Sequence, residues 1–308
     1  MSDITTVQPS RDTIRNAVRS FYDAQSLRIE MGNRIAAQIR AAFIGPKPRG
    51  FEEDIAQTPE FKAWDKARLA FNKQVDDWDE GNGLSGLTLL AAFLRAHEPA
   101  FPGVITADWA ARLIAHHDRQ RIVEAELGKD VGLLCKGWDI WPWLDSVKGC
   151  GPAMSGVLLA EIGDPGRFRT VSALWAFAGL HVIDGRAARR TKGERANWNN
   201  FLKTKLLGVL APCFLKANSP YREHYDNMKH RLESLPCSMT PEQHRKGATA
   251  ETLLPNGCTK GHMHNKAVRY MAKMFLLDLY VTWNGLRGNA IRNSYQQDYL
   301  GHDHAVWE

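Results

Sequence analysis

The stretch that decides the fold is Trp143-Leu144-Asp145-Ser146-Val147-Lys148-Gly149-Cys150-Gly151-Pro152-Ala153-Met154-Ser155-Gly156-Val157-Leu158-Leu159-Ala160-Glu161-Ile162. Leu144 and Val147 share one helical face before the break, and Val157, Leu158, Leu159 and Ile162 make an apolar helix after it. Gly149-Cys150-Gly151 between them has the glycine-hydrophobic-glycine pattern of a helix-hairpin-helix. Glycine lets the chain turn tightly and lets main-chain amides approach a ligand. Pro152 suits the first position of a helix, where its missing N–H would have had no partner. Amides exposed at that helix start, helped by the helix dipole, predict a grip on phosphate, with Lys148 adding a formal charge. Lys148, Gly149, Cys150 and Gly151 are therefore candidate contacts that would hold a backbone without reading bases. An ordinary helix connection with a glycine cap remains open. DNA glycosylases also carry such hairpins, with a catalytic aspartate about twenty residues after the glycines. Here that region reads Phe168-Arg169-Thr170-Val171-Ser172-Ala173, without a carboxylate.

On the N-terminal side the pattern is helical throughout. Ile14, Val18, Phe21, Leu27, Met31, Ile35 and Ile39 recur at helical spacing from Asp12 to Phe43, and Ile44-Gly45-Pro46-Lys47-Pro48-Arg49-Gly50 reads as a loop. Further helices are expected over Thr58 to Trp78, over Ser85 to His97, and from a cap at Thr106 to about Leu127. Long, polar-faced helices serve as packing arms or pairing elements, so residues 1–130 are expected to form a coiled-coil-like region that dimerises or recruits a partner protein. Residues 131–308 would form the second domain, with a polar insertion at about 235–262. The fold class expected is all-α. His116-His117 and Asp76-Asp77 are adjacent pairs, which point about 100° apart on a helix and do not share an ion, so they are expected at the surface.

Charge separates the two halves. The 308-residue chain has a formal net charge of +6, but residues 1–140 hold 18 Lys+Arg against 20 Asp+Glu, while residues 141–308 hold 22 against 14. A basic surplus confined to one half is what a chain meeting a polyanion with one domain would carry. Arg186, Arg189, Arg190, Lys192, Arg195, Lys203 and Lys205 fall close together with Trp198 and Phe201 among them, which suits backbone neutralisation and stacking on unpaired bases. On the last helix, expected from His264 to Trp283, Lys266, Arg269 and Lys273 recur at intervals of three and four and predict a basic ridge. The partner expected is DNA, or structured RNA.

Other classes are excluded or kept at the margin. No apolar run approaches the ~20 residues of a membrane helix. The start, Met1-Ser2-Asp3-Ile4-Thr5-Thr6, lacks the basic and apolar segments of a secretory leader, so a cytoplasmic, nucleoid-associated location is expected. Five cysteines, an odd number, fit a reducing compartment. Cys237, His244, Cys258, His262 and His264 are the right donor types for zinc, and Cys258-x3-His262 is a tolerable spacing, but Cys237 has no close sequence partner. Capping and loop packing account for these residues without a metal, and no cofactor is expected.

Leu158-Leu159-Ala160-Glu161-Ile162-Gly163-Asp164-Pro165-Gly166-Arg167-Phe168, then Leu174-Trp175-Ala176-Phe177-Ala178-Gly179-Leu180, resembles the C-terminal domain of the insertion-sequence 110/116/902 family of transposases. Ser219-Pro220-Tyr221-Arg222-Glu223-His224-Tyr225 continues the likeness, which covers about 143–283. The resemblance implies a nucleic-acid-binding helical domain. Those transposases pair a RuvC-like nuclease domain, with four acidic metal ligands, with a domain that carries a nucleophilic serine. The helical first part of this chain has no Gly-Ile-Asp-type strand for the first carboxylate, and His181-Val182-Ile183-Asp184-Gly185-Arg186-Ala187-Ala188-Arg189-Arg190 has no serine where the family places one. Without a hydroxyl, strand exchange through a phosphoserine has no nucleophile. The expectation is a relative that keeps the grip without the catalysis. Two alternatives stay open: an active recombinase or nuclease with magnesium held by carboxylates such as Asp145, Glu161, Asp164 or Asp184, and a protein-interaction scaffold.

Overall fold

The computed structural model describes residues 8–50, 55–56, 58–78, 83–97, 99, 105–183, 186–189, 193–237, 239–240 and 252–291. Among these the chain is all-α apart from a two-residue ribbon. The helices are α1 (Arg11–Ile44), α2 (Pro59–Trp78), α3 (Gly86–His97), α4 (Ala107–Cys135), α5 (Trp141–Ser146), α6 (Pro152–Ile162), α7 (Val171–Phe177), α8 (Asn200–Lys205), α9 (Ala211–Ala217), α10 (Arg222–Glu233) and α11 (Lys260–Leu286). The ribbon, β1 (Val182–Ile183) with β2 (Arg186–Ala187), is antiparallel and pairs Val182 with Ala187. Among the described residues, no helix is long and apolar enough to cross a membrane.

The chain divides into two compact units, one of residues 1–18 with 128–308 and the other of residues 19–127. In the second, α1, α2, α3 and the start of α4 bury Ile35, Ile39, Phe71, Val75, Leu89, Phe93 and Ala110 in a core of their own. Phe93 is its hub, with Phe43, Phe71 and Trp78 at ring-centroid distances of 5.3, 5.6 and 5.6 Å and His97 stacked on it at 4.0 Å. Glu124 of α4 accepts from Gln25 and Arg28 of α1, which ties the two long helices within this unit. Of the histidine pair expected at the surface, His116 is exposed but His117 is half-buried. Gly32 of α1 leaves the room for it, since a Cβ there would stand 3.3 Å from its Nε2.

In the first unit, α6 is the central element, and nine of its eleven residues, Met154 to Ile162, are buried. Such a helix has no polar face, which explains why its residues show apolar continuity rather than amphipathic alternation. Gly156 sets the packing: a Cβ there would meet Val131 Cγ1 at 2.5 Å and Val18 Cγ2 at 2.9 Å. The carbonyls at the end of α6 have no partners within the helix. Arginines supply them: Arg11 donates to the Ala160 and Glu161 carbonyls at 2.8 and 2.9 Å, and Arg167 to Glu161 at 3.2 Å. Three positive side chains, with Arg15, thus stand where the negative end of the helix dipole lies.

α8, a π-helical turn (Leu206–Leu210) and α9 form one continuous rod. Pro212 lies near the start of α9 and lacks the N–H an α-helical ladder needs. The rod absorbs it by widening, and the Ala211 N–H bonds back to the Leu206 carbonyl, five residues earlier. α11 runs through this unit, with Trp283, Tyr280 and Phe275 among the most deeply buried side chains. Tyr280 donates to the Phe168 carbonyl at 3.1 Å and Trp283 to Asp139 at 3.0 Å.

Candidate nucleic-acid interface

Two helices joined by a tight turn lie at the glycine pair. α5 ends at Ser146, the chain turns through Val147 to Gly151, and α6 begins at Pro152 with Gly151 as its cap. Its glycines do different work from that expected of both. Gly149 has φ of +95°, the left-handed region that favours glycine, and a Cβ there would meet Phe214 Cδ1 at 3.0 Å and the Cys213 carbonyl oxygen at 3.2 Å. It lets the turn pack on α9. Gly151 is exposed, with nothing within 4 Å of its Cβ position. Cys150 is buried, its Sγ 3.6 Å from Ser155 Oγ, so its side chain is not a surface contact. The amides of Met154 and Ser155 both bond the Gly151 carbonyl at 3.0 Å, and Pro152 has none. The helix start therefore offers fewer amides than the sequence suggested. Lys148 is exposed at the turn.

A second basic site is assembled by the fold from residues far apart in sequence. Lys203 of α8 and Arg269 and Lys273 of α11 gather with His181 around the Gly179 turn. Lys203 Nζ donates to the Ala188 carbonyl at 2.8 Å and lies 4.7 Å from the Trp198 ring. Arg269 donates to the carbonyls of Gly179 and His181 at 3.4 and 3.3 Å. Lys273 Nζ lies 5.0 Å from the Trp175 ring. Gly179, with φ of +67°, makes the gathering possible, because a Cβ there would stand 2.6 Å from Trp198 Cδ1 and 2.8 Å from Lys203 Cδ.

The electrostatics follow from that crowding. Burial, then the charge of Arg269, lowers the pKa of Lys203 and brings that of Lys273 down to about 8. Burial also lowers Arg269, and burial is the largest influence lowering His181, opposed by its hydrogen bond to the Ala176 carbonyl and reinforced by the repulsion of Lys203, Arg269 and Lys273. Among the described residues none of the three cations forms an ion pair with a carboxylate. Half-buried like charges without counter-ions are costly. Such arrangements concentrate at sites that receive a ligand of opposite sign.

The other basic candidates are more dispersed. Arg189 and Arg195 are exposed, Lys205 lies 5.3 Å from the Phe201 ring, and Lys266 is exposed on the first turns of α11. The ridge expected on α11 is thus split, with Lys266 outward and Arg269 and Lys273 drawn inward by backbone carbonyls and an indole. Arg186 lies in β2, but its side chain, and Arg190, Lys192 and Asp184 altogether, fall outside the described residues.

Of the carboxylates considered for magnesium, the described ones, Asp145, Glu161 and Asp164, do not form an ion-holding group. Asp145 is exposed, and Asp164 caps the Gly166 amide at 3.0 Å and meets Arg287 at 3.4 Å. Glu161 is buried and is occupied by Arg15 at 3.2 Å and by the Asn199 amide. Among the described residues the one group of three His, Cys, Asp or Glu side chains able to hold an ion is Cys237, Cys258 and His262. His264 is turned away, its Nδ1 at 2.8 Å from the Tyr225 hydroxyl. His181 and Trp175 were missed from sequence, since a lone histidine and a helix tryptophan carry no spacing signal.

Residues 142–226 match the family model described as Transposase IS116/IS110/IS902 family. The match takes in the turn between α5 and α6, the Gly179 turn and Lys203, and ends in α10, short of residue 283. No curated protein and no solved structure was found to match the chain.

Proposed function

We propose that this chain is a transposase-related nucleic-acid-binding protein that holds a phosphate backbone and does not read bases. The observation that carries the reading is the convergence of Lys203, Arg269, Lys273 and His181 with no ion pair to a carboxylate among the described residues. A phosphate anion would supply the missing counter-charge and restore the protons that crowding disfavours. Lys148 at the hairpin, with Arg189, Arg195 and Lys266 at the surface, would extend the contact along a strand, and Trp198 would offer a stacking face. DNA is the favoured partner because the matched family is one of transposases; backbone contacts of this kind carry little sequence information.

The test is a binding titration of labelled duplex and single-stranded DNA at several salt concentrations. Affinity should fall steeply and linearly on logarithmic axes, by about 0.9 per phosphate neutralised on duplex. Charge reversal at exposed positions, Lys148→Glu with Arg195→Glu, should weaken binding and flatten that slope without touching the packing. Gly149→Glu would be a poor probe, since the left-handed backbone and the contact with Phe214 would fail first. Binding that is absent or insensitive to salt would overturn the proposal.

A further inference from the structure

We infer that Cys237, Cys258 and His262 form a binding site for a single thiophilic divalent ion of the zinc class, which pins the end of α10 to the start of α11. The donor atoms of these three residues all lie within 4.8 Å of one another. Around a tetrahedral zinc, bonds of ~2.3 Å to sulfur and ~2.0–2.1 Å to nitrogen place ligand atoms ~3.5–4 Å apart. An ion would therefore draw the three together by less than a side-chain rotation.

The backbone around them is built to hold that geometry. Asn256 serves both cysteines: its carbonyl accepts from the Cys237 amide at 2.9 Å, and its side-chain oxygen accepts from the Cys258 amide at 3.0 Å. The same side chain donates to the Leu232 carbonyl at 2.7 Å, which anchors the turn to the last residues of α10. Gly257, at φ of +78°, closes the turn by donating to Leu254 at 2.8 Å, and the Leu254 amide donates to the Cys258 carbonyl at 2.7 Å. The chain then enters α11 through the Thr259 cap, whose hydroxyl accepts from the His262 amide at 3.2 Å and fixes the first turn on which that imidazole stands. A tight turn delivering one thiol, followed four residues later by an imidazole in a helix, presents both donors to the same point.

The packing supplies a reason for an ion here. Leu232, Cys258 and Met263, with Met228, Cys237 and Leu254 against them, form a cluster distinct from the main core. So few apolar groups stabilise little on their own, and small clusters of this kind depend on a staple. Two thiolates and an imidazole would give zinc three strong ligands, with the fourth position taken by water or a further donor. A Cys237–Cys258 disulfide would staple the same two segments but would leave His262 no part in it. The ion would also fix the first turns of α11, the helix that carries Lys266, Arg269 and Lys273, although the site stands whether or not nucleic acid binds there.

The experiment is metal analysis of the full chain purified reduced, followed by replacement of the bound ion with cobalt(II). Zinc should be found at one ion per chain, and cobalt should give the intense visible absorption and sulfur-to-metal charge transfer of a tetrahedral thiolate site. Cys237→Ser and His262→Ala should each lose the ion or weaken it at least tenfold, while Cys213→Ser, an exposed cysteine elsewhere, should keep it. Because the variants could fail to fold, the cobalt spectrum of the unaltered chain decides independently. Substoichiometric metal, a cobalt spectrum without thiolate bands, metal retained by both ligand variants, or a Cys237–Cys258 disulfide in the reduced protein would each overturn the inference.

Discussion

The indole N–H of Trp175 donates to the main-chain carbonyl of Lys273 at 3.0 Å, and the ammonium of Lys273 turns back to lie 5.0 Å from the centroid of that same indole. The lysine is thereby held against an apolar ring, with Arg269 as its charged neighbour and, among the described residues, no carboxylate paired with either. Burial first, and then Arg269, brings its pKa down to about 8.

Nucleic-acid affinity should therefore weaken as pH rises through about 8, where Lys273 loses its proton. A bound phosphate favours the charged form, so binding above that pH takes up protons, and Lys273→Met should remove this part of the dependence. Anisotropy titrations at fixed salt on either side of that pH measure it; a pH-independent affinity in the unaltered protein would count against the site. Stability without ligand runs in the opposite sense. The unfolded lysine keeps its proton to near the ordinary 10.5, so between about 8 and 10.5 the unfolded state holds more protons and this lysine's contribution to stability rises with pH.

Gly156→Ala should destabilise the protein by about 1–3 kcal/mol, because the added methyl would lie 2.5 Å from Val131 and 2.9 Å from Val18. Alanine's better helix propensity returns only about 0.5–1 kcal/mol, so overpacking decides the sign. Chemical denaturation followed by circular dichroism tests this; a variant more stable than the parent would refute the close packing.

Glu161→Ala should cost about 1–3 kcal/mol, the desolvation cost of the Asn199 amide left behind. The loss stays below that of a fully buried ion pair because the Arg15 side chain is 39% exposed and regains water. Glu161→Gln, which keeps an acceptor for Asn199, should recover part of it in the same denaturation measurement.

Alkylation by iodoacetamide in the native state should modify Cys213 first. Cys135 and Cys150 are buried, and burial pushes both thiols up to about 12, which leaves little thiolate to react. Peptide mapping after a brief exposure should show Cys213 labelled and Cys135 and Cys150 spared; early modification of Cys150 would contradict the packing of the hairpin.

The sequence by itself determined the helical class, the first three long helices, the start of the fourth and the turn before Pro152, because these rest on local signals: apolar period, the Thr106 and Pro152 helix starts, and glycine at the turn. It also placed the basic surplus in the second half and supplied the family likeness over the hairpin. What the sequence left undecided is which residues meet. Gly149 reads as a glycine needing close approach, yet only the packed chain reveals that the partner is α9, since periodicity carries no information about the opposing surface. Lys203, Arg269 and Lys273 read as members of two separate basic stretches, and the Gly179 turn joins them by letting Trp198 and Lys203 come close. Cys237 lacked a neighbour in sequence and acquires Cys258 and His262 when Asn256 folds the turn against α10. Residues 1–18 form a unit with 128–308 because Arg11 and Val18 find their partners on α6, far along the chain. Such contacts are set by shape and by unsatisfied carbonyls at helix ends, which exist only after the helices have packed.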